Sequence, residues 1–329
     1  MVRDDVLRTL EEHRGEQISG GTLARELGVS RTAIWKAVSS LREMGFPITS
    51  AAGGGYCLDE SSDALSEAGI SMNLTTQYAA QHLCVLSTVD STNNYLKQRA
   101  ADLPHGYAVV ADCQTAGRGR LGRSFVSPSG SGIYISLLLR PNIPLERMHL
   151  MTVGAAIAAC EAIQETAGFT PDIKWVNDVL MHGKKLCGIL TEASIEAETG
   201  QLSYVIVGIG LNVRTPAGGL APEIADIAGC LEDFAPHAVR RNALAASFFN
   251  HMESCCDLIA AGQTDALIDR YRSFIHFLGQ PITVIRFDKR ESATAVGIDS
   301  NGHLIIEQNG QRSTLVAGEI SIRLPEQTR

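Results

Sequence analysis

No apolar run in the 329-residue sequence approaches the roughly 18 residues that a membrane-crossing helix needs, and no charged-then-apolar segment with a cleavage site opens it. The expectation is a soluble protein kept in the cytoplasm, with no membrane partner. Zinc-type spacing is missing too: the eight cysteines (Cys57, Cys84, Cys113, Cys160, Cys187, Cys230, Cys255, Cys256) form no C-x-x-C pair, and no histidine stands at ligand spacing from them. Most lie inside apolar runs, which predicts buried free thiols in a reducing compartment; the adjacent Cys255 and Cys256 receive no redox role, because neighbouring cysteines rarely bond to each other. An excess of positive charge is lacking as well. A formal net charge of −8 argues against coating nucleic acid non-specifically, though it leaves room for a local basic face. Repeats and low-complexity tracts are absent. With 45% hydrophobic residues the chain has ample material for a core, and its length predicts about two or three domains.

Against that background one stretch stands apart. Residues 114–128 read QTAGRGRLGRSFVSP, in which Arg118, Arg120 and Arg123 alternate with Gly117, Gly119 and Gly122. Guanidinium forks and unobstructed backbone N–H groups can there converge on one anion, a phosphate or a carboxylate. The same letters spell G-x-G-x-x-G, but a dinucleotide fold needs a helix directly after the glycines and an acidic residue about 20 positions on. Here Phe125, Pro128 and the strand-like IYISLLL follow, with Arg140 and Asn142 where the acid would be, so that reading is rejected. The alternative is a mobile basic surface loop.

Residues 1–62 read as a helix-turn-helix domain with a wing. Leu7 and Leu10 mark an amphipathic first helix, Ala24 is small where helices meet, Gly28 suits the turn, Ser30 can cap the next helix, and Ile34, Val38 and Leu41 fall on its inner face. Arg31, Thr32 and Lys36 would face a DNA groove or its phosphates. FPITSAAGGGYCL reads as two short strands joined by residues 51–55. Trihelical units of this kind also serve for protein contacts alone, which is the competing reading. Trp35 is assigned to packing or surface. Residues 60–82 look like a junction with a short helical stretch at 64–68.

The central segment, 63–275, carries the remaining chemistry. LCVLSTV reads as a strand and DSTNNYLKQRAA as a helix, with Ser91, Thr92 and Asn93 at the turn, placed either to grip a polar ring or merely to cap. YAVVADCQTA brings a buried strand to the arginine loop with Gln114 at the rim. A long helix spans about 146–167. DIKWVNDVLMHGKKLCGILTE predicts a hairpin turning at His182 and Gly183, with Val179 opposite Leu186 and Asp178 opposite Cys187. Lys174, Asp178 and Lys185 then project from one face, as ligand contacts or as a structural salt bridge. In YVIVGIGLNV, Gly208 and Gly210 permit close approach and Asn212 ends the strand; helices follow at 239–260 and 264–274. Residues 276–329 read as short strands of a small SH3-like β-barrel. The predicted class is α+β: a winged helix-turn-helix, a mixed-sheet domain with helices, and the barrel.

STN, QTAGRGRLGR, SP, KWVND, KLCGIL and GIGLN, in this order behind a winged helix-turn-helix, resemble the bacterial bifunctional biotin-protein ligases that are also biotin-operon repressors. The resemblance covers the whole chain, and the combination is specific although no single motif is. It departs at Phe125, where those proteins have tryptophan, and at Val176, where proline is usual. The resemblance implies that biotin's carboxylate attacks the α-phosphate of ATP to give biotinyl-5′-adenylate, and that a lysine of the biotin carboxyl carrier protein of acetyl-CoA carboxylase then takes the biotin. By the same resemblance Ser91, Thr92, Asn93, Gln114, Arg118, Gly119, Arg120 and Lys185 hold biotin and its adenylate. Arg123, Phe125, Lys174, Asn177, Asp178 and Asn212 lie on the ATP side, and Glu319 and Arg323 belong to a segment closing over the nucleotide. Arg118, Arg120 and Lys185 carry the catalysis together with Asp178, which orients the incoming lysine or the metal; Mg2+ arrives on the phosphates rather than in a site of the protein. Operator DNA is an implied partner, as is a second copy of the chain in an adenylate-bound homodimer. The glycine-rich loop is expected to order on ligand. Two rivals are a repressor that senses ligand without turnover and a lipoate-type ligase.

Overall fold

The protein is described from a computed structural model, which covers residues 2–50, 55–196, 198–286, 289–316 and 320–323. It divides into two compact units, Met1–Leu74 with Arg240–Ala243, and Thr75–Val239 with Leu244–Arg329.

In the first unit, helices α1 (Val2–Glu12), α2 (Gly20–Glu26) and α3 (Arg31–Glu43) bury Val6, Leu10, Leu23, Ile34, Val38 and Leu41 around one centre. Strands β1 (Ile18–Ser19), β2 (Ile48–Ser50) and β3 (Gly55–Leu58) form a sheet in the order β1-β3-β2. Ser19 caps α2 by accepting from the Thr22 N–H, and Ser30 caps α3 by accepting from Ala33. Gly28 turns between them at φ +66°, a left-handed conformation that favours glycine. Arg42 is spent on the wing: its Nε donates to the Ile48 carbonyl at 2.7 Å and its Nη2 to Ser50 Oγ at 2.6 Å. The predicted turn at 51–55 lies outside the described residues except for Gly55. Strand β1 was not foreseen, and the short helix expected at 64–68 is instead α4 (Glu67–Ser71), because Ser66 takes the cap position and accepts from the Gly69 N–H at 2.9 Å.

The second unit is built on a seven-stranded sheet in the order β4-β5-β6-β10-β9-β8-β7. Its strands are β4 (His82–Leu86), β5 (Tyr107–Ala111), β6 (Gly132–Leu139), β7 (Asp172–Lys174), β8 (Asp178–Met181), β9 (Lys184–Ile195) and β10 (Leu202–Asn212). β4 and β5 run parallel, joined across helix α5 (Thr92–Arg99); every other pairing in the sheet is antiparallel. Alternation along β10 divides its duties. Val205, Val207, Ile209 and Leu211 are buried on the face shared with Thr191, whose hydroxyl meets Thr152 of helix α6 (His149–Ala167) at 2.8 Å. Ile206, Gly208 and Gly210 look the other way, where Ile206 packs with Leu96 of α5.

Behind α6 lie α7 (Arg241–Ala260) and α8 (Thr264–Ser273), and a Cβ at Gly154 of α6 would stand 3.1 Å from the Cys255 side chain. All eight cysteines are free, and burial pushes the Cys187 and Cys255 thiols up to about 12. Strands β11 (Pro281–Arg286), β12 (Lys289–Ile298), β13 (Leu304–Gln308), β14 (Gln311–Leu315) and β15 (Ile320–Arg323) form an antiparallel sheet in the order β14-β13-β12-β11-β15 over Ile282, Val284, Ala295, Leu304 and Ile306. Glu319 lies outside the described residues, and Arg323 is described only as backbone, opposite Thr283. The class is α+β: helix-turn-helix, mixed central sheet and antiparallel C-terminal sheet. No helix among the described residues is long and apolar enough to cross a membrane.

The hairpin register needs correction. Met181 faces Lys184 and Leu180 faces Lys185 as expected, but Val179 pairs with Cys187 and Asp178 with Gly188. Leu186 is an extra residue on β9, a β-bulge that shifts the ladder by one.

Helices α6, α7 and α8 are tied by a proton-dependent contact. His251 on α7 places Nδ1 3.1 Å from Glu161 and Nε2 3.1 Å from Glu165, both on α6, while Arg270 of α8 donates to Glu161 at 3.0 Å. The hydrogen bond to Glu161 raises the imidazole pKa above 6.5 against the opposing effect of burial. Burial pushes Glu161 up, but the bonds from His251 and Arg270 outweigh it and leave it below 4.5. The stabilisation is therefore complete between those two ordinary values, fades as pH rises through the raised imidazole pKa, and fades on the acid side as the carboxylates protonate. Replacing His251 with Gln should lower the unfolding free energy by about 0.5–1 kcal/mol near pH 6, the part-exposed ring keeping the figure small, and by nothing near pH 9. Urea denaturation at the two values reads this directly; an equal loss at both would contradict the clamp.

Candidate active site

The floor of the site is the sheet face that β10 leaves bare. Across the strands, Ser136 pairs with Gly208 and Gly208 with Leu190, and one row along Tyr134, Gly210, Gly188 and Asp178 stand side by side. Three glycines in two adjacent rows leave a trough. Other side chains settle into it: a Cβ on Gly208 would lie 2.2 Å from Asn93 Oδ1, and one on Gly210 would lie 2.5 Å from Phe125 Cε1.

One end of the trough is neutral and polar. Ser91 caps α5, and buried Thr92 and Asn93 follow it. Gln114 Oε1 accepts from the Thr92 backbone N–H at 2.9 Å and lies 3.2 Å from its hydroxyl, while Gln114 Nε2 donates to Ser127 at 3.0 Å. Ser136, fully buried in the middle of β6, sets its hydroxyl 2.7 Å from Thr92 Oγ1 and 2.6 Å from Asn93 Oδ1. Asn93 Nδ2 donates at 2.9 Å to Glu192.

The other end is cationic. Lys185 Nζ stands 2.6 Å from Asp178 Oδ1 and 5.9 Å above the Phe125 ring. The distance is that of a close ion pair, made to a buried carboxylate oxygen. Arg120 donates to Asn177 Oδ1 at 3.0 Å; burial lowers its pKa, while the Asp178 carboxylate opposes that change. Arg118 turns instead toward the polar end, donating to Asn94 at 3.0 Å and to Glu192 at 3.2 Å. The loop bearing these arginines folds back on itself: the Gly119 N–H donates to the Arg123 carbonyl, Phe125 to Gly117 and Gln114 to Ser127. No helix follows it; the chain runs on into β6.

Ser91, Thr92, Asn93, Gln114, Arg118, Gly119, Arg120, Phe125, Asn177 and Lys185 line a single cavity of about 50 Å³ together with Gly188, Gly208 and Gly210. Four other residues of the predicted site are not part of that lining. Arg123 is exposed at the far end of the loop tip. Lys174 pairs across the sheet with Asp178, which forms the ion pair with Lys185. Asn212 gives its amide to the Lys185 and Gly229 carbonyls at 3.3 and 3.2 Å, joining β10 to its surroundings. Sequence reasoning missed Ser136, Gly188 and Glu192. A serine inside the apolar run IYISLLL was the available signal, since a buried hydroxyl requires a partner.

Three family descriptions match the chain: an HTH domain over residues 2–57, the biotin/lipoate A/B protein ligase family over 85–212, and a biotin protein ligase C-terminal domain over 277–323. The bifunctional ligase/repressor BirA of Bacillus subtilis is 35% identical over 329 residues, 98% of each chain. A biotin–[acetyl-CoA-carboxylase] ligase of Mycobacterium tuberculosis is 29% identical over 248 residues, covering 73% of this chain and 88% of that one. The biotin protein ligase of Aquifex aeolicus, solved with biotin and ATP, superimposes with a TM-score of 0.66 at 27% identity, covering 74% of this chain and all of that one. The chain belongs to the biotin/lipoate protein ligase family, among its bifunctional ligase/repressors.

This family member carries its second candidate surface on α3. Arg31, Thr32 and Lys36 are all exposed on the side away from Ile34, Val38 and Leu41. Trp35, expected to pack or to lie on the surface, is 59% exposed beside them.

The buried Ser136 hydroxyl supports two polar side chains, Thr92 and Asn93, that are themselves almost fully buried. Changing Ser136 to Ala should cost about 1–3 kcal/mol of stability, the penalty for stranding a buried polar partner. The urea midpoint would fall accordingly, and an unchanged midpoint would show that Thr92 and Asn93 satisfy each other without it.

Proposed function

We propose that the chain is an ATP-dependent, AMP-forming biotin–[acetyl-CoA-carboxylase] ligase and a biotin-responsive repressor. The observation that carries the first half is the polarity of one cavity, neutral hydrogen-bonding groups at one end and Arg120 with Lys185 at the other. A molecule with a polar ring and a carboxylate tail fits in one direction only.

A carboxylate is a poor electrophile and must be activated before it can acylate an amine. Its oxygen attacks the α-phosphorus of ATP, the bond from that phosphorus to the bridging oxygen breaks, and pyrophosphate leaves. The neutral amine of the carrier protein's lysine then attacks the acyl carbon, AMP departs, and the ammonium proton is lost to solvent. Two anions meet in the first step, so positive charge already in place is the main requirement. Arg120 and Lys185 supply it, Asp178 keeps Lys185 in position and orients the incoming lysine, and Ser91, Thr92, Asn93, Gln114 and the Gly119 backbone hold biotin. Arg118, Arg123, Phe125, Lys174, Asn177 and Asn212 complete the proposed biotin and ATP contacts. The carboxylates bordering the cavity do not suit a resident cation, since Asp178 is paired with Lys185 and Glu192 with Arg118. Magnesium is assigned to the phosphates of ATP.

At about 50 Å³ the cavity is far below the roughly 300–1,000 Å³ usual for a small-molecule site, because the Phe125 ring rests on Gly210. Phe125 moves to admit the nucleotide and then offers its face to adenine. The loop closes over both. For the repressor role, Arg31, Thr32 and Lys36 contact operator DNA, and an adenylate-bound homodimer spans a two-fold site. The three domains are proposed as 1–62, 63–275 and 276–329, and the working compartment as the cytoplasm.

Incubation with ATP, labelled biotin and a biotin-accepting domain should label that domain, and Lys185→Met should slow labelling by about 10²–10³. Retained activity in that variant, or label passing from lipoate rather than biotin, would count against the assignment. A duplex from the chain's own biotin-gene promoter should shift only with biotin and ATP present. Lys36→Ala should weaken that binding and reduce its logarithmic salt slope by about 1. A shift without any labelling would favour a sensor that has lost turnover.

A further inference from the structure

Arg118 and Arg120 stand two positions apart in one loop, yet their guanidinium groups go to different places. Arg120 reaches Asn177 beside the reacting end of the cavity. Arg118 reaches Asn94 on α5 and Glu192 on β9, at 3.0 and 3.2 Å. Glu192 is better placed for this than a surface acid would be. Its carboxylate is largely buried, its second oxygen accepts from Asn93 at 2.9 Å, and Lys97 approaches to 3.9 Å. The base of the loop is tied down by the Thr115 and Ala116 N–H groups, which donate to the Val89 and Asp90 carbonyls, but the rungs of the tip, Gly119 to Arg123 and Phe125 to Gly117, are internal, so side chains must fasten the tip to the sheet.

We propose that Glu192 is a positioning residue which, through Arg118, latches the glycine-arginine loop over the polar end of the cavity and so sets how long the acyl-adenylate is retained. This rests on the ligase reading above. When adenylate fills the site, Arg120 turns to the phosphate and its tie to Asn177 is given up. The Arg118–Glu192 contact is made away from the reacting atoms and persists. Glu192 also neutralises Arg118, which leaves Arg120 and Lys185 as the charges acting on the phosphate.

The test uses the full chain. Adenylate is formed from biotin and α-labelled ATP, excess reagents are removed by gel filtration, and release of label is followed. Glu192→Gln keeps an oxygen for Asn93 and removes the charge. It should release adenylate about three- to tenfold faster, with the first-turnover pyrophosphate burst and the melting temperature retained. Arg118→Gln should release it faster by a similar factor, and the double variant no faster than the quicker single one, since both changes break one contact. Arg118→Lys, which keeps the charge, should recover part of the retention. Release from Glu192→Gln as slow as from the unaltered chain, or effects that multiply in the double variant, would overturn the latch. Absence of a pyrophosphate burst in the unaltered chain would instead remove the ligase reading beneath it.

Discussion

The site depends on β10 being bare on one face. Val207, Ile209 and Leu211 are buried toward α6, and burying an aliphatic side chain of that size contributes about 1.5–3 kcal/mol. Gly208 and Gly210 alternate with them and project nothing. Glycine inside a strand weakens it, so the strand is held by its other face and by long ladders to β6 and β9 on either side. With any side chain at Gly208, Asn93 could not lie where Ser136, Glu192 and the Leu190 carbonyl meet it. With one at Gly210, Phe125 would be lifted off the sheet and away from Lys185.

Once the trough exists, its neighbours decide its polarity. At one end hydroxyls and amides satisfy one another in a closed set: Gln114 with Thr92 and Ser127, and Ser136 with Thr92 and Asn93. Such a set of mutually bonded polar groups is preorganised. At the other end the cations gather around one carboxylate: Asp178 meets Lys185 at 2.6 Å and acts by charge on Arg120, which also donates to the Asn177 amide oxygen. Two cations facing one carboxylate leave positive charge for an incoming anion. Arg118 differs, because its partner is a carboxylate outside the reacting end. A chain with net charge −8 thus presents positive charge at one place by choosing which of its arginines to neutralise.

Much of this was legible in the sequence, for identifiable reasons. The glycines of GIGLN fall at successive positions of one strand face, and a period of two is visible without coordinates. Lys174, Asp178 and Lys185 share a face as the hairpin predicted, and the loop is followed by a strand as IYISLLL indicated. The bulge at Leu186 was not legible, because inserting one residue leaves the apolar pattern of KLCGIL unchanged while moving Asp178 from Cys187 to Gly188. Glu192 was hidden for a different reason. It lies four residues beyond Gly188 on the same face of β9, but a glutamate near the end of a strand reads as solvent-facing until α5 and the loop are seen above it. Asn212 shows what a motif leaves out: its place at the strand end was legible, but not that its amide is given to two main-chain carbonyls.

The two halves of the site are secured very differently, and the chemistry explains why. Asn177 exchanges bonds with the main chain of Ile189, giving its amide to the Ile189 carbonyl at 3.1 Å and taking the Ile189 N–H at 2.9 Å. Two residues earlier, buried Trp175 donates its indole N–H to the Gly302 carbonyl at 3.1 Å, in the turn between β12 and β13. The floor and the Lys185 side of the cavity are therefore braced by sheet ladders and by the C-terminal sheet. The loop half is tied to Val89 and Asp90 at its base, and beyond that has its own rungs and the side chains of Arg118 and Arg120. An acyl-adenylate must be shielded from water between the two steps and then exposed to a protein-bound lysine. A rigid cover would meet the first need and prevent the second. A rigid floor beneath a cover fastened by a few polar contacts meets both, because opening costs only those contacts and leaves Lys185 and Asp178 in place on the sheet.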